Sequence, residues 1–127
     1  MKIRIKGNSV RLRLSQSDVN RLRLTGMIHE ETLFVDSRFI YKLMRSNEHD
    51  AIAASFENGA ITVFLPNTQF DDFVNTQQVG CGGDMKIGDA DKLSILVEKD
   101  FKCLDNTLED QSDNFPNPLA ETYGKQQ

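Results

Sequence analysis

The sequence has few of the residues that usually announce chemistry. Its two cysteines, Cys81 and Cys103, lie far apart with no Cys-x-x-Cys unit. They build neither a disulfide framework nor a paired-cysteine metal site, and both are expected to be reduced. The only histidines are His29 and His49, and His29-Glu30-Glu31 lacks the His-Glu-x-x-His pattern of a zinc helix. The acids from Asp105 to Asp113 lack the spacing and central glycine of a calcium loop, so neither a metal nor a cofactor is expected. Gly80-Cys81-Gly82-Gly83 is followed by no Lys-Ser/Thr pair, which excludes a phosphate loop and leaves a flexible connector over Asn75 to Asp84. No apolar run approaches membrane-spanning length and the start has no apolar leader core, so a cytoplasmic location with no membrane partner is the expectation. The formal charge of −4 argues against a duplex-DNA partner.

What the chain does have is a charge asymmetry. Residues 1–23 carry seven Lys or Arg against the single acid Asp18, inside a protein that is acidic as a whole. Lys2 to Lys6 and Val10 to Leu14 alternate charged and apolar residues, and Gly7-Asn8 suits the positive φ of a hairpin turn between them. In that register Ile5 faces Val10 and Ile3 faces Leu12 on one side, while Lys2, Arg4, Lys6, Arg11 and Arg13 share the other. Arg4 then opposes Arg11 and Lys2 opposes Arg13. Like charges placed directly opposite are destabilising on a sheet, so the face requires neighbouring carboxylates, solvent screening or a bound anion. Glu30, Glu31, Glu98, Asp100 and the acidic tail are the internal candidates.

Further along, Ser15 and Asp18 form a capping-box pattern for a helix over Gln16 to Leu24, with Val19 and Leu22 inward and Gly26 as its stop. Glu30 to Val35 and Arg38 to Arg45 read as strands, the second apolar on both faces and therefore central. Asn58-Gly59 marks a hairpin pairing Phe56 with Ile61, Ala54 with Val63 and Ile52 with Leu65, all six in the core. Asn67 caps a second helix, Thr68 to Val74, that buries Phe70, Phe73 and Val74. Leu93 to Lys99 is the last strand. Phe39, Phe56, Phe64, Phe70 and Phe73 take core positions and form no stacking platform for single-stranded nucleic acid. No internal repeat is evident beyond the hairpins.

The pattern predicts an α+β domain over 1–104, with a mostly antiparallel sheet of about six or seven strands and two short helices. An acidic segment, 105–127, is expected to pack on the domain through Phe115, Leu119 and Tyr123. The basic face suggests a non-enzymatic binding module in which Lys2, Arg4, Lys6, Arg11 and Arg13 meet a small anion or an acidic protein partner. Two readings stand beside it. One is an enzyme acting on a phosphorylated or carboxylated small molecule, with Glu98, Glu30 or Cys103 supplying the chemistry, though no histidine spacing ties a base to Cys103. The other is a structural domain whose charges pair internally.

Lys2-Ile3-Arg4-Ile5-Lys6-Gly7-Asn8-Ser9-Val10-Arg11, Ala54-Ser55-Phe56 with Ile61-Thr62-Val63-Phe64, Glu98 to Leu104, and Asn114-Phe115-Pro116-Asn117-Pro118 together resemble a family of small uncharacterised bacterial proteins, a domain of unknown function. The resemblance covers nearly the whole chain and implies that Cys103 and Asn114 to Pro118 belong to the domain; it brings no catalytic residues. A motif-level likeness to triphosphate tunnel enzymes fails at the metal-binding acids, because Lys2-x-Arg4-x-Lys6 stands where those enzymes open on Glu-x-Glu-x-Lys. Only anion binding survives that comparison.

Overall fold

The computed structural model describes residues 1–101 and 112–116. The opening hairpin forms as its alternation requires. Strands β1 (Lys2–Ile5) and β2 (Ser9–Leu14) pair antiparallel with Lys2 opposite Arg13, Ile3 opposite Leu12, Arg4 opposite Arg11 and Ile5 opposite Val10. Helix α1 (Gln16–Thr25) starts at a complete capping box, in which the Ser15 side chain accepts from the Asp18 amide and the Asp18 carboxylate from the Ser15 amide. It ends where Gly26, at φ 79°, donates its amide to the Leu22 carbonyl. The chain then enters β3 (Met27–Leu33) and β4 (Arg38–Ser46), and a left-handed Asn58-Gly59 turn joins β5 (Ala53–Glu57) to β6 (Ala60–Pro66).

Helix α2 (Asn67–Asn75) follows β6 directly. Asn67 does not cap it: the N-cap is Pro66, with no side-chain cap, and the helix is held by burial of Phe70, Phe73 and Val74. Strands β7 (Gly80–Ile87) and β8 (Asp91–Lys99) complete the fold.

The α+β class holds, but the sheet count does not. Eight strands form two four-stranded sheets, ordered β1-β2-β8-β7 and β3-β4-β6-β5, rather than one sheet of six or seven. The connector expected over Asn75 to Asp84 is largely strand β7, whose glycines are needed for space. A Cβ on Gly80 would meet the Val97 carbonyl oxygen at 2.8 Å, and one on Gly82 the Ile95 carbonyl oxygen at 2.5 Å. Glycine here is not a loop signal: it admits an edge strand close to its neighbour. In each sheet two antiparallel hairpins meet through parallel central strands, β2 with β8 and β4 with β6.

The chain is an interlocked internal repeat, contrary to the expectation of none. Residues 2–46 and 53–99 each run hairpin, helix, hairpin, and each half gives its first hairpin to one sheet and its second to the other. The correspondence extends to single residues. The pair Ile5 with Val10 is repeated by Phe56 with Ile61, and the parallel pair Leu12 with Val97 by Val63 with Leu43. The bond from the Ser94 amide to the Asn8 carbonyl is repeated from Ile40 to Gly59. The sequence carries little trace of the repeat, because a hydrogen-bond register constrains the polar or apolar character of a position far more than its identity.

One core joins both sheets and both helices: Leu12, Leu14, Leu22, Leu43, Val63, Leu65, Phe70, Phe73 and Val97 are all at most 2% exposed. The helices close one end of the space between the sheets, since each follows the C-terminal end of a central strand. Phe56 is not core. It is 68% exposed at the opposite end, where the sheets part and neither α1 nor α2 covers them. Of the expected tail anchors, Phe115 packs against the core and bridges to Phe101, and its amide donates to the Asp100 carbonyl. Leu119, Tyr123 and Cys103 lie outside the described residues.

Candidate functional site

The register of the first sheet lays its outward side chains in rows. One row is Lys2, Arg13, Glu98 and Gly80; the next is Arg4, Arg11, Leu96 and Gly82. The structure therefore brings Lys2, Arg4, Arg11 and Arg13 together on one face, with Lys6 just past the end of β1 in the turn. Glu98, on the central strand, meets Arg13 at 2.7 Å and Arg11 at 3.6 Å, and Asp100 meets Lys2 at 3.2 Å. The other expected acids go elsewhere: Glu31 pairs with Arg38 at 3.0 Å and Glu30 with the Met1 ammonium at 2.9 Å. Among the described residues these five cations meet two carboxylates, and neither Arg4 nor Lys6 forms an ion pair. Asp105, Glu109 and Asp110 of the acidic tail lie outside the described residues.

The repeat offers an internal comparison for this face. Lys2, Arg4, Arg11 and Arg13 occupy the backbone positions that Ala53, Ser55, Thr62 and Phe64 occupy in the second sheet. The scaffold thus forms equally well with uncharged residues there. β7 contributes Gly80 and Gly82 to these two rows, so no β7 side chain stands beside them.

A second charged cluster, which the sequence reading resolved only as a helix cap, lies where β1, α1 and β3 meet. It forms a cleft of about 400 Å³ that adjoins the cationic face, since Lys2, Arg13 and Asp100 also line it. The Met1 ammonium is buried and lies 2.8 Å from Asp18 and 2.9 Å from Glu30, tying the edge of one sheet to the other, and the Tyr41 hydroxyl donates to the Met1 carbonyl. Arg21 also pairs with Asp18. Burial alone would raise the pKa of Asp18; the hydrogen bonds from the Met1 ammonium and the Ser15 amide, with the positive charges of Met1 and Arg21, outweigh it and hold the carboxyl below its ordinary value. Asp113 accepts from the Ser17 amide and hydroxyl and is likewise lowered, chiefly by hydrogen bonds from Ser15 and Ser17. These carboxylates are engaged, and the cluster acts as a structural clasp.

Cys81, on β7, is a free thiol whose pKa is pushed up to about 11 by burial. Alkylation of Cys81 by iodoacetamide at pH 7.5 is expected to be at least tenfold slower than that of a free cysteine, because the thiolate fraction falls about tenfold per pH unit. Mass spectrometry of the modified peptide against time checks this, and labelling at the free-cysteine rate would contradict it.

Among the described residues no group of three or more His, Cys, Asp or Glu is placed to hold a metal ion, and no helix is long and apolar enough to cross a membrane. The chain belongs to the family of unknown function DUF7009, whose model spans residues 1–119. That span includes both halves of the repeat, the cationic face and the Asp113 to Phe115 segment, so these features all lie within the DUF7009 unit. No curated protein and no solved structure is detectably similar to the chain.

Proposed function

We propose that the protein is a non-enzymatic cytoplasmic binding module whose first-sheet outer face, centred on Arg4 and Arg11 and flanked by Lys2, Lys6 and Arg13, receives an acidic segment of a protein partner. The observation that carries this reading is Arg4 directly opposite Arg11, in a row that contains no carboxylate. That arrangement costs stability in the free protein, and the second sheet shows that the backbone does not need it. A cost with no structural return is accounted for by a ligand of opposite charge. Gly82 leaves the end of the Arg4–Arg11 row without a side chain, which favours an extended acidic chain over a small molecule, since the latter requires an enclosing pocket with convergent polar groups. Arginine forks bind carboxylates bidentately, and the partly neutralised Arg11 and Arg13 are already aligned by Glu98.

The test is binding of a polyglutamate peptide by titration calorimetry at low and moderate salt. The double variant Arg4→Glu/Arg11→Glu should weaken binding by at least about tenfold, and added salt should weaken the native interaction. Lys42→Glu, on the outer face of the second sheet, should leave it unchanged. Equal binding by the double variant, or a loss equally large for Lys42→Glu, would remove the proposal. Pyrophosphate in place of the peptide tests the small-anion form of the same idea through its effect on the melting temperature.

A further inference from the structure

The end of the molecule opposite the helices has no occupant in the proposal above. Between the two sheets there lies an apolar recess of about 520 Å³, walled by Ile5, Phe39, Phe56, Ile61, Met85 and Leu93, with no charged side chain in its lining. The same end carries most of the exposed large hydrophobic side chains among the described residues. Of nine exposed large hydrophobic side chains among the described residues, Ile5, Phe56 and Ile87 edge this recess, and Leu33, Phe34 and Val35 form the β3–β4 turn just beyond Phe39. Phe34 is 63% exposed and Val35 99%. A cluster of this kind marks an interaction surface.

The rim suggests what covers it. Lys6 lies between the lining residues Ile5 and Gly7, and Glu57 directly follows the lining residue Phe56. The internal repeat makes Lys6 and Glu57 equivalent positions on opposite sides of the mouth, with opposite charge. A membrane surface would favour cations around the mouth, and an anionic amphiphile would meet Glu57 as well as Lys6. A second copy of the chain meets neither objection. Turned end to end about a twofold axis perpendicular both to the axis relating the two halves of the repeat and to the line from Lys6 to Glu57, it sets each Lys6 against a Glu57 and brings the exposed Leu33–Val35 turns of the two copies together beside the apolar recesses.

We infer that the open end is a self-association surface, through which two copies of this chain form an isologous dimer that buries Phe34, Phe56 and Ile5. Lys6 is taken into the contact, while Lys2, Arg4, Arg11 and Arg13 on the outer face of the first sheet stay free in such a pair, so the dimer displays two cationic faces; the inference does not depend on what those faces bind. Sedimentation equilibrium of the full chain over a concentration series tests it. The expected result is a monomer–dimer equilibrium that Phe34→Asp and Phe56→Asp each weaken by more than tenfold; both residues are exposed in the monomer, so the melting temperature at a concentration low enough to keep the chain monomeric should hardly change. Lys6→Glu and Glu57→Lys should each weaken dimerisation, and the double variant Lys6→Glu/Glu57→Lys should restore it. A monomer at all concentrations up to roughly 200 µM, where even a weak homodimer is populated, would overturn the inference. So would a dimer indifferent to Phe34→Asp and Phe56→Asp, charge reversals that fail to rescue each other, or co-sedimentation of the monomer with phosphatidylcholine vesicles.

Discussion

Gly82→Ala is expected to destabilise the protein by about 3 kcal/mol, the upper part of the range for forcing extra volume into packed structure. The added methyl would lie 2.5 Å from the Ile95 carbonyl oxygen and 3.2 Å from a Leu96 methyl. The first of these atoms belongs to the central strand β8, which is bonded on both sides, so it cannot withdraw without disturbing the pairing with β2. For a domain of this size that corresponds to a melting temperature lower by roughly 10 °C. Gly83→Ala is the control one residue along, because its methyl would meet only the Ile52 Cγ2 atom at 3.0 Å. A methyl group can give by a few tenths of an ångström where a carbonyl held in the ladder cannot, so the cost should stay well below that of Gly82→Ala, at about 1 kcal/mol. Thermal or urea unfolding of the two variants checks the pair, and similar costs for both would contradict the role given to β7.

Asp18→Asn should cost on the order of 3 kcal/mol, measured by urea unfolding at pH 7, as expected when one member of a buried ion pair is removed and its partner keeps its charge. The Met1 ammonium would retain only Glu30, which is partly exposed, and the helix would lose the charged half of its capping box. The pH dependence follows from the same contacts. A carboxyl whose folded pKa lies below its ordinary value of 3.8 contributes stability that is fully present above that value and is lost as the pH falls through the folded pKa. The native protein should therefore weaken below about pH 4, and Asp18→Asn should weaken less over that interval, since it has already lost the contribution. Asp113 and Asp84 are lowered as well, Asp84 by its bonds from Ser94 and Lys92, so some acid sensitivity remains in the variant. An unchanged acid profile would show that the clasp around Met1 is energetically idle.

Local rules carried the elements whose signals are local. Alternating residues and a positive-φ turn determined the first hairpin down to its register, and the Ser15–Asp18 pair determined where α1 begins, because both depend on contacts within a few residues. They also placed the arginines on one face, since side chains in a strand alternate whatever the neighbouring strand is. Asn67 failed as a cap because helix α2 leaves β6 without a break. Phe56 failed as core because its inward direction was legible and the lack of anything above it was not.

The partners of the arginines were beyond the reach of local rules. Glu98 and Asp100 lie at the far end of the chain and arrive beside Arg11, Arg13 and Lys2 only because β8 adds in parallel to β2. The repeat, the strand made from Gly80 to Ile87, and the open apolar end likewise exist only once distant hairpins have exchanged between two sheets. By itself the sequence determined that a cationic face had to form, for that follows from the period of a strand. Which cations were neutralised, and where apolar surface was left in water, only the tertiary structure decided, because both depend on long-range strand order that no local pattern encodes.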